Sequence, residues 1–141
     1  MLYAVPGGLI AVGLQIDPVH TKGDGLNGQI LGHPGHLPEV VNEVDIQYHL
    51  LIKLLGVRSD GNARSDKKKK VSSIKEGEIL LINIAACSVP GKVLKSMNNE
   101  KAKIRFDKPV CCSKGDKLTL SRKIQNFRLI GWGEVKKGHM R

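Results

Sequence analysis

Aromatic residues make up only 4% of this 141-residue chain: two Phe, two Tyr and one Trp. Its core must therefore be aliphatic, and the Val, Ile and Leu that dominate the apolar set favour strands where they alternate with polar residues. Cysteine is scarce and odd in number, at Cys87, Cys111 and Cys112. Two are adjacent and no C-x-x-C or His-rich spacing accompanies them, which argues against a disulfide framework and a zinc site and suits a reducing compartment. Cys87 and Cys111 lie in apolar runs and read as small core residues. No apolar run reaches the ~18 residues a membrane-spanning helix needs. The start, Met1-Leu2-Tyr3-Ala4, has no basic region ahead of an apolar stretch, so no secretory signal is expected and the expected location is cytoplasmic.

Catalytic signatures are missing as well. There is no G-x-x-x-x-G-K-[ST] loop to cradle a triphosphate, no G-x-S-x-G, no H-E-x-x-H and no useful carboxylate pair. The five histidines, at 20, 33, 36, 49 and 139, are scattered. His33 and His36 straddle a Pro-Gly turn, but no third ligand type stands nearby. The chain reads as non-catalytic, with no cofactor or metal of its own.

What is abundant is glycine, with 16 residues, and positive charge, +10 in all. Residues 1–50 carry one Lys and five acids, a charge of −4, whereas residues 51–141 carry 22 basic and eight acidic residues, a charge of +14. Such asymmetry suggests two pieces in different surroundings, the second facing something anionic. A plainly solvated lysine-rich surface is the alternative.

Residues 1–37 read as two strands, Gly8 to Ile16 and Leu26 to Gly32, joined by the loop from Asp17 to Gly25. Two strands do not make an independent domain, so this segment must pack on the rest of the chain or end a domain that begins elsewhere. Pro38 opens a second unit. Val40, Val44, Ile46, Tyr48 and Leu50 share one parity, as in a half-buried strand. Leu50 to Gly56 fits a helical turn or a buried strand equally. Residues 58–73 are polar, include Lys67-Lys68-Lys69-Lys70, and read as a mobile loop. Strands are then expected at 78–86, 91–97, 102–106, 117–121 and 127–135, with turns at Val89-Pro90-Gly91, Asn98-Asn99, Asp107-Lys108-Pro109 and Ser113-Lys114-Gly115-Asp116. Short strands at this spacing indicate an all-β barrel or sandwich.

The last two strands are the most informative stretch. They carry Arg122, Lys123, Arg128 and the single tryptophan, Trp132, on a β-hairpin. Strict alternation puts Phe127, Leu129, Gly131 and Gly133 on one face and Arg128, Ile130, Trp132 and Glu134 on the other. The glycines around Trp132 imply close backbone approach or a bend. Trp132 is open to two readings, a core residue or a partner anchor.

A run of landmarks resembles the gamma subunit of eukaryotic and archaeal translation initiation factor 2. They are Val5-Pro6-Gly7-Gly8-Leu9-Ile10-Ala11-Val12-Gly13, Ile16-Asp17-Pro18, Gly28-Gln29-Ile30-Leu31-Gly32 and Leu37-Pro38-Glu39-Val40. Leu50 through Arg58, Ile79-Leu80-Leu81-Ile82-Asn83-Ile84, Pro109-Val110-Cys111, Leu120-Ser121-Arg122 and Arg128-Leu129-Ile130-Gly131-Trp132-Gly133 follow in order. The resemblance implies an all-β chain: residues 1–37 as the final strands of a second barrel, and residues 38–141 as a complete closed antiparallel barrel like the C-terminal domain of elongation factor Tu. It implies the C-terminal part of a longer protein, with Met1 added at its start. GTP and Mg²⁺ would belong to a GTPase domain outside this chain.

The resemblance further implies partners: the alpha and beta subunits, initiator tRNA, the small ribosomal subunit and an assembly chaperone on the third domain. Gly7, Gly8, Leu9 and Gly13 match the strand that lines the aminoacyl-tRNA end pocket, where glycine admits a ligand close to the backbone; Ala11 stands where relatives carry glycine. A plain buried strand is the alternative. Asp17, Lys22 and Asp24 fall in the loop region that docks the alpha subunit, through charged hydrogen bonds to a basic surface. Arg122, Lys123, Arg128 and Trp132 are the candidates for a basic RNA- or partner-facing patch. The Lys67–Lys70 run follows no family motif. Two rivals remain: a free-standing basic RNA- or protein-binding barrel, which would need surface aromatics for base stacking, and an elongation-factor-like fragment serving another tRNA.

Overall fold

The computed structural model describes residues 3–52, 71–97, 100–124 and 126–140. Six antiparallel strands follow one another: β1 (Val40–Leu50), β2 (Ile79–Ile84), β3 (Cys87–Met97), β4 (Lys101–Cys111), β5 (Lys117–Ile124) and β6 (Asn126–His139). They close into a barrel in the order β1-β4-β3-β2-β5-β6. Closure leaves no sheet edge unpaired. It also puts β3 across the barrel from β6, and β4 across from β5.

The interior is aliphatic, as the shortage of aromatics requires. Val44, Ile46, Leu80, Ile82, Ile84, Val93, Ile104, Leu118, Leu120, Ile130 and Val135 are fully buried, and Tyr48 and Phe106 are the aromatics among the buried residues. Gly91 makes room for this packing: a Cβ there would lie 2.6 Å from Ile82 Cδ1 and 2.7 Å from Ile104 Cγ2. Val89-Pro90-Gly91 is therefore not a turn but part of β3. The reversal between β2 and β3 is the two-residue step Ala85-Ala86, between the paired Ile84 and Cys87. Ala85 takes φ 49° there, which a hairpin turn of this length demands even without glycine.

Asp107-Lys108-Pro109 likewise lies inside β4, as three consecutive exposed residues where the ladder to β1 is irregular. A proline without an N–H to donate is tolerated at such a bulge. The Ser113–Asp116 turn forms as expected: Ser113 N–H donates to Asp116 Oδ2 (2.8 Å) and Gly115 has φ +92°. Asn98-Asn99, the Lys67–Lys70 run and residues 53–70 as a whole lie outside the described residues. Residues 71–73, read as loop, are anchored instead: Val71 is buried in the core, and Ser72 and Ser73 accept hydrogen bonds from Arg122.

The stretches 8–16 and 26–32, expected as strands, form no ladder in this chain. A strand pair needs further strands to satisfy its backbone and cover its apolar face, and no described strand reaches these residues. Leu9, Val12, Leu31 and their apolar neighbours are exposed. Between them Pro18–Asp24 forms 3-10 turns. The segment meets the barrel at Gly28, where a Cβ would touch Cys87 at 3.4 Å. No helix among the described residues is long and apolar enough to cross a membrane.

Candidate interaction surfaces

The register of β6 decides where Trp132 points. Leu120 pairs with Gly131 but Ser121 with Leu129, so Ile130 is an extra residue, a β-bulge. The bulge lets Ile130 and Gly131 both face inward. It puts Trp132 outside with Phe127 and Leu129, rather than inside with Ile130. Trp132 is accordingly 46% exposed. Of its two sequence readings, the core position is ruled out.

The flanking glycines bring β1 close. A Cβ on Gly131 would lie 2.3 Å from the His49 carbonyl oxygen, and one on Gly133 2.8 Å from that of Gln47. His49 thus stands beside Trp132, ring centroids 4.8 Å apart and tilted by 48°. Its Nδ1 lies 2.7 Å from Glu100 Oε2. From β5, the Lys117 ammonium sits 5.6 Å from the indole centroid, within cation–π range. Lys117 and Lys136 both bind Glu134, at 3.1 and 2.9 Å. These two bonds, that from Lys136 first, hold the Glu134 carboxyl below its ordinary pKa. A shallow depression of about 210 Å³ is lined by Gln47, His49, Lys117, Trp132, Glu134 and Lys136.

The expected basic patch divides. Lys123 is exposed and pairs across the hairpin with Phe127, on the outer face. Arg122 and Arg128 pair with each other on the opposite face. The Arg122 guanidinium is turned to internal use. Its Nε donates to Glu78 Oε1 and its Nη2 to Glu78 Oε2 (3.0 Å). Its Nη1 reaches the Ser72 carbonyl (3.1 Å) and Oγ (2.9 Å), and Nη2 also reaches the Ser73 carbonyl (3.2 Å). A fork satisfied at five positions clasps residues 72–78 to β5 and has little left for a ligand.

A stronger concentration of charge, missed in the sequence, lies on β3 and β4. Lys92 stands directly opposite Arg105, and Lys95 opposite Lys103, with Lys101 one step further along. The rows continue onto β1 with Glu43 opposite Arg105 and Asp45 opposite Lys103. Arg105 Nε binds the Glu43 carboxylate at 2.9 Å, and Lys103 lies 3.8 Å from Asp45, whose other oxygen meets His139 Nε2 at 2.9 Å. Lys92, Lys95 and Lys101 form no ion pair with any described residue. Like charges directly opposite destabilise a ladder, so these rows are a surface built at a cost to the fold. Strict alternation hides them, because a bulge at Leu94 is what puts Lys92 and Lys95 on one face. Beside them a groove of about 400 Å³ is lined by Ile79, Pro90, Lys92, Arg105, Phe106 and Asp107.

The profile of a family described as "Initiation factor eIF2 gamma, C terminal" matches residues 42–135, the span from β1 into β6. The chain is 48% identical over 135 residues, 94% of its length, to the protein of Drosophila melanogaster named Eukaryotic translation initiation factor 2 subunit 3. The chain belongs to the eIF2 gamma family. It spans 27% of that relative's length. The all-β reading and the closed barrel are those of the eIF2 gamma C-terminal domain, and the chain is a region of a translation initiation factor subunit.

Within this eIF2 gamma region, the candidates near the N-terminus are not gathered into a site. Gly7, Gly8 and Gly13 have nothing within 4 Å of where a Cβ would stand. Gly7 takes φ +105°, a conformation glycine alone adopts freely. Leu9 is fully exposed. Asp17 is a capping residue, its Oδ1 accepting from Val19 N–H at 2.9 Å; Lys22 and Asp24 are exposed and meet no described counter-ion. No group of three metal-ligating side chains occurs among the described residues. His33 and His36 instead share a turn, His36 N–H to the His33 carbonyl (3.1 Å). The core cysteine is Cys112, not Cys87 or Cys111, which are half-buried. Cys112 keeps the inward parity of β4, which runs through Ala102, Ile104, Phe106 and Val110, whereas Cys111 falls on the other.

Proposed function

We propose that this chain is the non-catalytic C-terminal part of the GTP-binding subunit of a heterotrimeric initiation factor that delivers methionyl initiator tRNA to the small ribosomal subunit. Binding of GTP and Mg²⁺ would belong to a nucleotide domain, and no residue here enters that chemistry. The barrel is the docking part. Gly7, Gly8, Leu9 and Gly13 would line the aminoacyl end once covered by a full second barrel. The Asp17–Asp24 loop would present its carboxylates to the alpha subunit. The beta subunit and an assembly chaperone complete the partners, and the setting is the cytoplasm.

One observation carries the reading to a mechanism: the facing basic rows Lys92–Arg105 and Lys95–Lys103, with Lys101 beside them. Neighbouring ammonium and guanidinium groups repel each other in the free barrel. An RNA backbone laid across them removes that repulsion and releases condensed counterions. Phosphate contact of this kind positions a domain on RNA without reading its sequence.

The test is binding of the 141-residue chain to purified small ribosomal subunits over a salt series. Affinity should fall steeply with salt. Lys92→Glu with Lys95→Glu should lower the slope of log K against log salt by about 1 to 2. Salt-independent binding, or a double variant that binds like the parent, would count against the reading. Equal affinity for any RNA duplex would favour a free-standing basic module instead.

A further inference from the structure

On the side of the barrel away from the basic rows, the Ile130 bulge lines up Phe127, Leu129 and Trp132 along the outer face of β6. They are 51%, 39% and 46% exposed. Their β5 partners on the same face are Lys123, Ser121 and Thr119, followed by Lys117 opposite Glu134. On the β1 side stand His49, opposite Trp132, and the exposed Ile52, which follows Leu51, itself bonded to the Ile130 carbonyl (2.8 Å). Large apolar side chains scattered singly over a surface are ordinary, but a continuous row of them marks a contact surface.

We infer that this outer face of β6 is a protein-docking stripe for an acidic segment bearing two or more large apolar side chains. It is an interaction surface separate from the basic rows of β3 and β4. Charge selects the partner. The rim cations are Lys117, Lys123 and Lys136. The rim acids are engaged, and with them two of these cations: Glu134 holds Lys117 and Lys136, and Glu100 lies against His49, which leaves Lys123 open. Lys123 has no described counter-ion and stands opposite Phe127, so a carboxylate there gains a partner while an apolar side chain covers the ring. At the other end the exposed ring of Trp132 meets a second apolar group.

The same geometry disfavours a nucleic acid. Leu129, at the centre of the stripe, offers no π-face. The indole is already engaged by the His49 ring and the Lys117 ammonium. Aromatic and aliphatic surroundings with a charged rim are instead the anatomy of a protein interface, where tryptophan is a frequent anchor.

Trp132 is the only tryptophan, so its emission reports on the stripe directly. The 141-residue chain is titrated with short Trp-free peptides of Glu and Asp carrying two Leu or Phe at varied spacings, with the same peptides having Lys for every acid, and with U-rich single-stranded RNA. Acidic peptides should shift the emission saturably and bind about tenfold or more tighter than their Lys counterparts. Phe127→Ser with Leu129→Ser should weaken them by about tenfold or more. Lys123→Glu should weaken the acidic peptides and strengthen the Lys series, while Lys92→Glu with Lys95→Glu leaves both unchanged.

The inference is overturned if no acidic peptide binds, if both series bind equally, or if the serine double variant binds like the parent. It is also overturned if the RNA alone moves the emission, or if emission changes with chain concentration alone, which would make a second copy the occupant.

Discussion

Arg122 and Glu78 are joined by two parallel N–H···O bonds across the foot of the barrel, between β5 and the chain entering β2. Both are mostly buried, and the same guanidinium also holds Ser72 and Ser73. Arg122→Ala strips the Glu78 carboxylate of both guanidinium donors, leaving it only the Lys75 N–H (3.2 Å), and should cost about 2–4 kcal/mol in urea unfolding. Arg122→Lys should recover less than half of the loss, because an ammonium does not reproduce the planar fork. A loss below ~1 kcal/mol would make the clasp decorative and return Arg122 to the list of available surface cations.

Gly131→Ala and Gly133→Ala push a methyl group against the β1 backbone. Each should destabilise by about 1–3 kcal/mol as overpacking does. The first should also change Trp132 emission in the folded state, since β1 and its His49 must retreat. Unfolding curves and emission spectra of the same samples check both parts.

Reversing one member of a like-charged row should act with opposite signs on fold and binding. Lys95→Glu turns a repulsive pair with Lys103 into an attractive one and should stabilise the barrel by about 0.2–1 kcal/mol. It should at the same time weaken RNA binding and reduce its salt slope by about 1. A variant that is less stable, or binds more tightly, contradicts the account of that face.

Burial, with the nearby Asp116 and Cys111 adding to it, pushes the Cys112 thiol up to about 11 from an ordinary 9.0. The folded state then keeps its proton where the unfolded chain loses it. This group's contribution to stability is intact below pH ~9 and is lost as pH rises from there toward 11. Cys112→Ala should flatten that part of the stability profile. In the parent chain at pH 8, iodoacetamide should label Cys112 only after denaturant is added, as followed by peptide mass.

Which residues form strands was largely legible in the sequence. Val44, Ile46 and Tyr48 alternate and are buried, and the Ser113–Asp116 turn shows its Gly and Asp. The errors cluster where one added residue shifts parity. Period-2 reading grouped Trp132 with Ile130, and applied to residues 91–97 it would keep Lys92 apart from Lys95, because a bulge leaves no mark in composition. The Pro90 and Pro109 turns were misplaced for a related reason: proline looks like a reversal but is equally at home where a strand lacks a ladder partner. Arg122 was visible as a cation and invisible as a clasp, since Glu78 and Ser72 approach it only when the barrel closes.

The sequence by itself determined an aliphatic all-β barrel, an excess of positive charge in its second part and a likeness to one family. Those follow from side-chain type and local alternation, which are properties of the chain. Only the tertiary structure decided which cations are spent internally and which face solvent, and that the aromatic stripe and the basic rows lie on opposite sides. The physical reason is that a closed barrel brings distant strands into register, and the bulges at Ile130 and Leu94 then set which face Trp132 and the facing lysines take.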